Sequence, residues 1–252
     1  MQPKTLLIIQ PATSYDDLPD LCATRGDEVA WFRDACGIAP DRIASVRVYA
    51  GEPLPDPSDV GAAIITGAID MVTDNHPWIA DTAEWVVRAV GVGTPVLGVC
   101  FGHQLMAHAF GGRVGQNPNG AAFGSVPVMR AQGAPDPLFD ALPDTMEMMA
   151  FHYQSVLDLP EGAVPLATSI NEPYYAVRYA DSAWGVQFHP EFDDAIMEGS
   201  IDVYAGDMEA AGFDVDALRA QDRSDPSGYR LLRRFVEHAG LATDEDDTAL
   251  IA

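Results

Sequence analysis

Residues 95–104 read PVLGVCFGHQ. Pro95–Val99 is a short apolar run with the length of a buried strand, and Gln104–Phe110 behind it is helical in pattern until Gly111-Gly112 stops it. Between the two, Gly98 and Gly102 bracket Cys100. A strand that turns into a helix through one exposed-tip residue needs small neighbours, because the backbone must fold tightly beneath the projecting side chain. The stretch therefore argues for an α/β architecture and for a nucleophile at its apex.

Working outward supports the same class. Upstream, Thr5–Gln10 is a strand ending at Pro11, Asp27–Cys36 a helix stopped by Gly37, and Ser45–Ala50 (SVRVYA) alternates like a strand. Gly51–Asp59 is a loop by composition, and Ala62–Thr66 is a buried strand running into Gly67. Trp78–Val90 follows Pro77 and repeats apolar residues at three- and four-residue steps, an amphipathic helix. Strands alternating with helices imply parallel pairing through right-handed crossovers. Downstream the rhythm changes. Ser125–Arg130, Thr145–Phe151, Val164–Ile170, Tyr174–Ala180 and Ala183–Phe188 are strand-like runs without helices between them, so antiparallel strands are expected to extend the parallel sheet. Asp193–Gly212 is a weaker helical stretch, and Ser224–Gly240 a stronger one expected to pack back on the core. One domain over residues 1–240 is expected, followed by an acidic tail, 241–252, frayed around Thr243–Asp247.

Composition removes other classes. In 252 residues, 48% are hydrophobic, enough for a real core. Lys+Arg number 14 against 38 Asp+Glu, a net charge of −24 that disfavours nucleic acid and anionic membrane surfaces as partners. Three cysteines, Cys22, Cys36 and Cys100, are too few for a disulfide framework and suit a reducing compartment. Leu6–Ile9 reads as a first strand and not a secretory leader, and no run is long enough to span a membrane. The expected setting is cytoplasmic.

A buried cysteine is ordinarily a small hydrophobe, and Cys22 and Cys36 read that way. Cys100 does not, because a helix N-terminus directly behind it favours the thiolate and offers free backbone N–H groups to an oxyanion. Such a thiol needs a histidine base and a group to orient it. Of the six histidines, His189 stands in Gly185–Phe192, GVQFHPEF, where Pro190 ends a strand and Glu191 lies within reach of the second ring N–H. Cys100, His189 and Glu191 thus form a candidate triad. His103 and His108 read as packing or capping groups on the helix after the elbow, and His76 and His238 as solvated.

PVLGVCFGHQ and GVQFHPEF together resemble the two signatures of the class I glutamine amidotransferase family, over about residues 5–192. CFGHQ, the NPNG stretch and FHYQSV are similar to the stand-alone domains that resemble the amidotransferase portion of GMP synthase. The resemblance implies a flavodoxin-like, mostly parallel sheet flanked by helices. It also implies a Cys-His-Glu triad that hydrolyses a γ-glutamyl amide, most simply glutamine, with neither metal nor organic cofactor. On the same grounds the N–H groups of Gly67 and Phe101 form the oxyanion hole, and Gln104 and His152 line the substrate pocket. Two positions depart from the pattern. Ala122 in GAAFG stands where a carboxylate is expected, and Gln154 replaces the acid of a His-x-Asp unit. The substrate therefore stays open between glutamine, with ammonia passed to a separate synthase subunit, and γ-glutamyl peptides or polyamines. A non-catalytic partner-binding domain and the redox or chaperone branch of cysteine-elbow proteins are the remaining alternatives.

Overall fold

A computed structural model describes residues 5–133 and 135–241. The chain opens with β1 (Leu6–Gln10), α1 (Ser14–Asp17), α2 (Pro19–Arg25), α3 (Glu28–Cys36), β2 (Ile43–Arg47), β3 (Ala62–Ile65), α4 (Pro77–Gly91), β4 (Val96–Val99) and α5 (Phe101–Ala109). Then come β5 (Arg113–Gln116), β6 (Ala122–Arg130), β7 (Thr145–His152), β8 (Gln154–Asp158), β9 (Val164–Ser169), β10 (Ala176–Ala180) and β11 (Ala183–Val186). Helices α6 (Asp194–Ala210), α7 (Val215–Arg219) and α8 (Ser227–His238) follow.

The strands form one sheet of nine in the order β2-β1-β3-β4-β11-β10-β9-β6-β7, with β5 and β8 in a separate ribbon. From β2 to β11 every pairing is parallel, and from β10 to β7 every pairing is antiparallel. The expected antiparallel extension of a mostly parallel sheet is what the chain forms. β1 shows why Leu6–Ile9 is unbroken by polar residues. Leu6 and Ile8 face one core with Phe32 of α3 and Phe235 of α8, while Leu7 and Ile9 face another with Trp85 of α4 and Leu105 of α5. A strand buried on both faces has no polar side to show.

Helix ends are set by local chemistry. The Asp27 carboxylate accepts from Val29 N and Ala30 N at the start of α3, and Gly37 closes that helix in the left-handed conformation. α8 packs back as expected: Leu231, Leu232, Phe235 and Val236 are fully buried, and Phe235 meets Trp184 of β11 edge-on. Among the described residues no helix is long and apolar enough to cross a membrane.

Several expectations need correction. The alternating Ser45–Ala50 segment is a strand only to Arg47; residues 48–50 coil into a short 3₁₀ turn closed by left-handed Gly51. Glu52 causes the break by reaching back to accept from Arg47 N and its guanidinium. The helix after Cys100 begins at Phe101, not Gln104, so the turn is a single residue. α1, α2, α7 and the β5–β8 ribbon carry no pattern that announced them. The Thr243–Asp247 tail lies outside the described residues.

Candidate active site

β4 delivers Cys100 to the C-terminal edge of the parallel strands, where open α/β sheets place their ligands. Cys100 has φ 51° and ψ −103°, a region that a side chain rarely occupies, so the turn is strained. Its neighbours explain how the strain is held. A Cβ on Gly98 would stand 2.4 Å from the Gly102 carbonyl group, and a Cβ on Gly102 would stand 2.3 Å from Ile65 O. Hydrogen bonds from Cys100 N to Val186 O and from Gln104 N to Cys100 O fix the turn from both sides.

The thiol is 3.6 Å from the Phe151 carbonyl, to which it donates, and Gln187 Nε2 donates to the sulfur from 3.7 Å. Gln187 is fully buried on the segment leading to His189, and its carbonyl oxygen accepts from Gln104 Nε2 at 3.1 Å. Sequence reasoning assigned it nothing. The signal that could have found it is a lone amide inside an otherwise apolar strand end.

His189 follows β11, the strand that pairs with β4, so adjacent strands bring the base and the thiol together. Its backbone N–H donates to Met149 O, and its ring stacks on Phe192 with centroids 4.2 Å apart. Nδ1 lies 2.8 Å from Glu191 Oε1, and Cys100 is near enough to act on the charge of the ring. Burial opposes a charge on His189, but the Glu191 carboxylate and then Cys100 outweigh it and push the pKa up to about 10. The three residues expected to act together are thus brought to one place, with His189 and Glu191 hydrogen-bonded.

Gly67 ends β3 against this chain. A Cβ there would stand 2.8 Å from His189 Cε1 and 3.7 Å from Cys100 Cβ, so only glycine leaves its backbone open to the sulfur. Phe101 N is the first amide of α5. Among the described residues neither amide donates a hydrogen bond, which leaves both available to a developing oxyanion.

The residues expected to line the pocket lie deeper. Gln104 is buried and donates to Gln154 O at 2.8 Å as well as to Gln187. Gln154, the amide in place of an acid, donates to Thr73 Oγ1. His152 is buried, with Nε2 3.4 Å from both Tyr175 OH and Glu172 Oε1, and burial first, then His189, lowers its pKa to about 3. Ala122 pairs across the β6–β7 ladder with His152. His103 is sealed between Tyr174 O and Tyr179 OH, while His108 is exposed. Cys36 is fully buried, as is almost all of Cys22, and burial raises both thiols, Cys22 to about 11. Neither is a reactive thiol.

Beside His189 a cavity of about 100 Å³ is walled by Gly67, Ile69, Phe151, Glu191 and Phe192 and runs out to Asp17, Glu28, Trp31 and Tyr204. Glu28 is occupied by Gln10 Nε2 and by Ser14 N and Oγ.

Residues 56–200 match the family described as glutamine amidotransferase class-I. The chain is 39% identical to the glutamine-hydrolyzing GMP synthase of Thermosipho africanus over 56% of this chain and 27% of that one. It is 30% identical to gamma-glutamyl peptidase 5 of Arabidopsis thaliana over 62% of this chain and 64% of that one. The match thus spans about a quarter of the first relative and under two thirds of the second. In fold, the chain is similar to a glutamine amidotransferase of Thermotoga maritima, with a TM-score of 0.73, 21% identity, and coverage of 93% and 97% of the two chains.

Proposed function

Since the chain belongs to the class I glutamine amidotransferase family, we propose that it hydrolyses a γ-glutamyl amide through a thioester on Cys100. One observation carries the reading: His189, held 2.8 Å from Glu191, follows the strand that pairs with β4, at whose end Cys100 is set on a strained strand-to-helix turn. With the Cys100 proton already on His189, the sulfur attacks the amide carbon, and the oxygen, now negative, meets the N–H groups of Gly67 and Phe101. As the tetrahedral intermediate collapses, His189 protonates the leaving nitrogen and the C–N bond breaks. A water, deprotonated by His189, then attacks the thioester, and the sulfur regains its negative charge as glutamate leaves. Glu191 keeps the ring in the tautomer these transfers need. No step calls for a metal or organic cofactor. Where glutamine is the substrate, the ammonia passes to a separate synthase subunit.

The cavity favours a second reading, in which the leaving group is larger than ammonia. The leaving nitrogen must lie against His189, and the cavity there is several times the about 10–15 Å³ that one water requires. Trp31, Phe192 and Tyr204 offer it apolar surface, and Asp17 a charge suited to an amine. Glutamate release from glutamine and from γ-glutamylputrescine, by the wild type and Cys100→Ala, tests both readings. Wild-type turnover that falls by about 10³-fold or more in Cys100→Ala is expected. A higher kcat/KM for the putrescine conjugate selects the second reading. Turnover that survives Cys100→Ala, or its absence with both substrates, rejects the proposal.

A further inference from the structure

Behind the nucleophile, buried amides meet in a chain: Gln154, Gln104 and Gln187. An amide carries its donor and its acceptor on arms of like shape, and a partner able to act in one way only decides which arm is which. Here that partner is the backbone carbonyl of Gln154, which can only accept. The arm of Gln104 that lies 2.8 Å from it is therefore Nε2. The same Nε2 stands 3.1 Å from the Gln187 side chain, so the arm it meets there is the acceptor Oε1. The other arm of Gln187 is then an N–H donor, and it lies 3.7 Å from Cys100 Sγ. A backbone carbonyl on one side of the core thus fixes a donor on the sulfur at the other.

The sulfur has two neighbours of opposite demand. Phe151 O, 3.6 Å away, accepts from S–H and has nothing to offer a sulfur that has lost its proton. Gln187 Nε2 donates, and a hydrogen bond onto an anion is roughly twice as strong as one between neutral groups. Moving the proton from Cys100 to His189 therefore weakens the first contact and strengthens the second. Gln187 is also held firmly in place. It follows β11, which pairs with β4, and its backbone N–H donates to Tyr175 O at 2.9 Å. Its side chain is fully buried and Cys100 is only 4% exposed, so water has little room to take over the donor's part. In the cycle set out above the sulfur is anionic twice: before it attacks, and again when the thioester C–S bond breaks and its electron pair returns to sulfur.

We propose that Gln187 is a further catalytic residue, whose side-chain N–H holds the Cys100 sulfur in its anionic form. Gln104 is its positioning residue, since it keeps the Gln187 oxygen turned away from a sulfur that this oxygen would repel. The inference rests on the thioester reading above and extends it with a second group that touches the reacting atom.

Alkylation of Cys100 by iodoacetamide, followed against pH with Cys100→Ala as the blank, tests this without any turnover. The wild type is compared with Gln187→Met and Gln187→Leu. The two replacements differ in shape and share the loss of the donor, and in both Gln104 keeps its bond to Gln154 O. The titratable groups around the sulfur, His189 with Glu191, Tyr175 and His152, are the same in all three chains. Expected is a midpoint of the pH–rate profile that rises by about one pH unit in both variants, with the rate at high pH retained. Either variant alone decides the matter should the other not fold. An unmoved midpoint overturns the proposal, and so does a rate lowered alike at every pH, the mark of a residue that only shapes the turn. Failure of the hydrolytic reading looks different: no glutamate would be released in a Cys100-dependent way, while the alkylation midpoints would still separate the variants from the wild type.

Discussion

At the scale of single residues, the site is governed by how burial and neighbours divide its protons. His189 is raised to about 10 against the 6.5 of a free histidine. A group raised on folding contributes its full stability below the unfolded value and loses it as the pH climbs through the folded one. Between pH 6.5 and about 10 the urea midpoint should therefore fall, and Glu172, raised to about 8, adds a loss of the same sign. Glu191→Gln removes the first of the charges that raise His189 and should flatten this slope without touching the Glu172 share. Urea midpoints of both chains at several pH values in that window check it, and parallel slopes would contradict the assignment. Histidines lowered by burial act on the other side. His152, at about 3, and His103, at about 4, stabilise fully above pH 6.5 and lose that contribution as the pH falls. Cys100, His189 and Glu191 were legible in the sequence as candidates because turns and proline punctuate them. The contacts of Gln187 were not, since they come from pairing between distant strands and no local pattern marks a buried amide.

At the scale of elements, the strand–turn–helix unit is set by close approach of backbones. Gly98→Ala places a methyl 2.4 Å from the Gly102 carbonyl group, where only backbone could move, and should cost about 1–3 kcal/mol or more. Gly91→Ala is the control. It ends α4 with nothing within 4 Å of its new methyl, and should be neutral or stabilising by up to about 1 kcal/mol. Urea unfolding of the two variants decides the matter, and equal costs would show that the turn is looser than its contacts imply. Elements were legible in the sequence where packing writes a period. β1 and β3 show unbroken apolar runs, and α4 shows an apolar stripe. They were illegible where side chains at 48–52 override the period, and where Arg113–Gln116 forms a ribbon strand with Val114 as its single apolar residue.

At the scale of the whole molecule, the net charge of −24 is a repulsion spread over the surface. Salt screens it over about 10 Å at 0.1 M, so raising NaCl from 0.05 to 0.5 M should raise the urea midpoint. A midpoint that falls with salt would instead place surface ion pairs such as Arg25–Asp193 in control. The sheet order holds a different consequence. β11 is the last strand in sequence, yet it lies between β4 and β10 at the middle of the sheet, and it leads directly to His189. During synthesis on the ribosome, Cys100 emerges long before the strand that completes the centre and carries its partner. On the mechanism proposed above, a nascent chain displays its thiol without a base until β11 threads into place. On that mechanism, turnover would report that the centre of the sheet has closed.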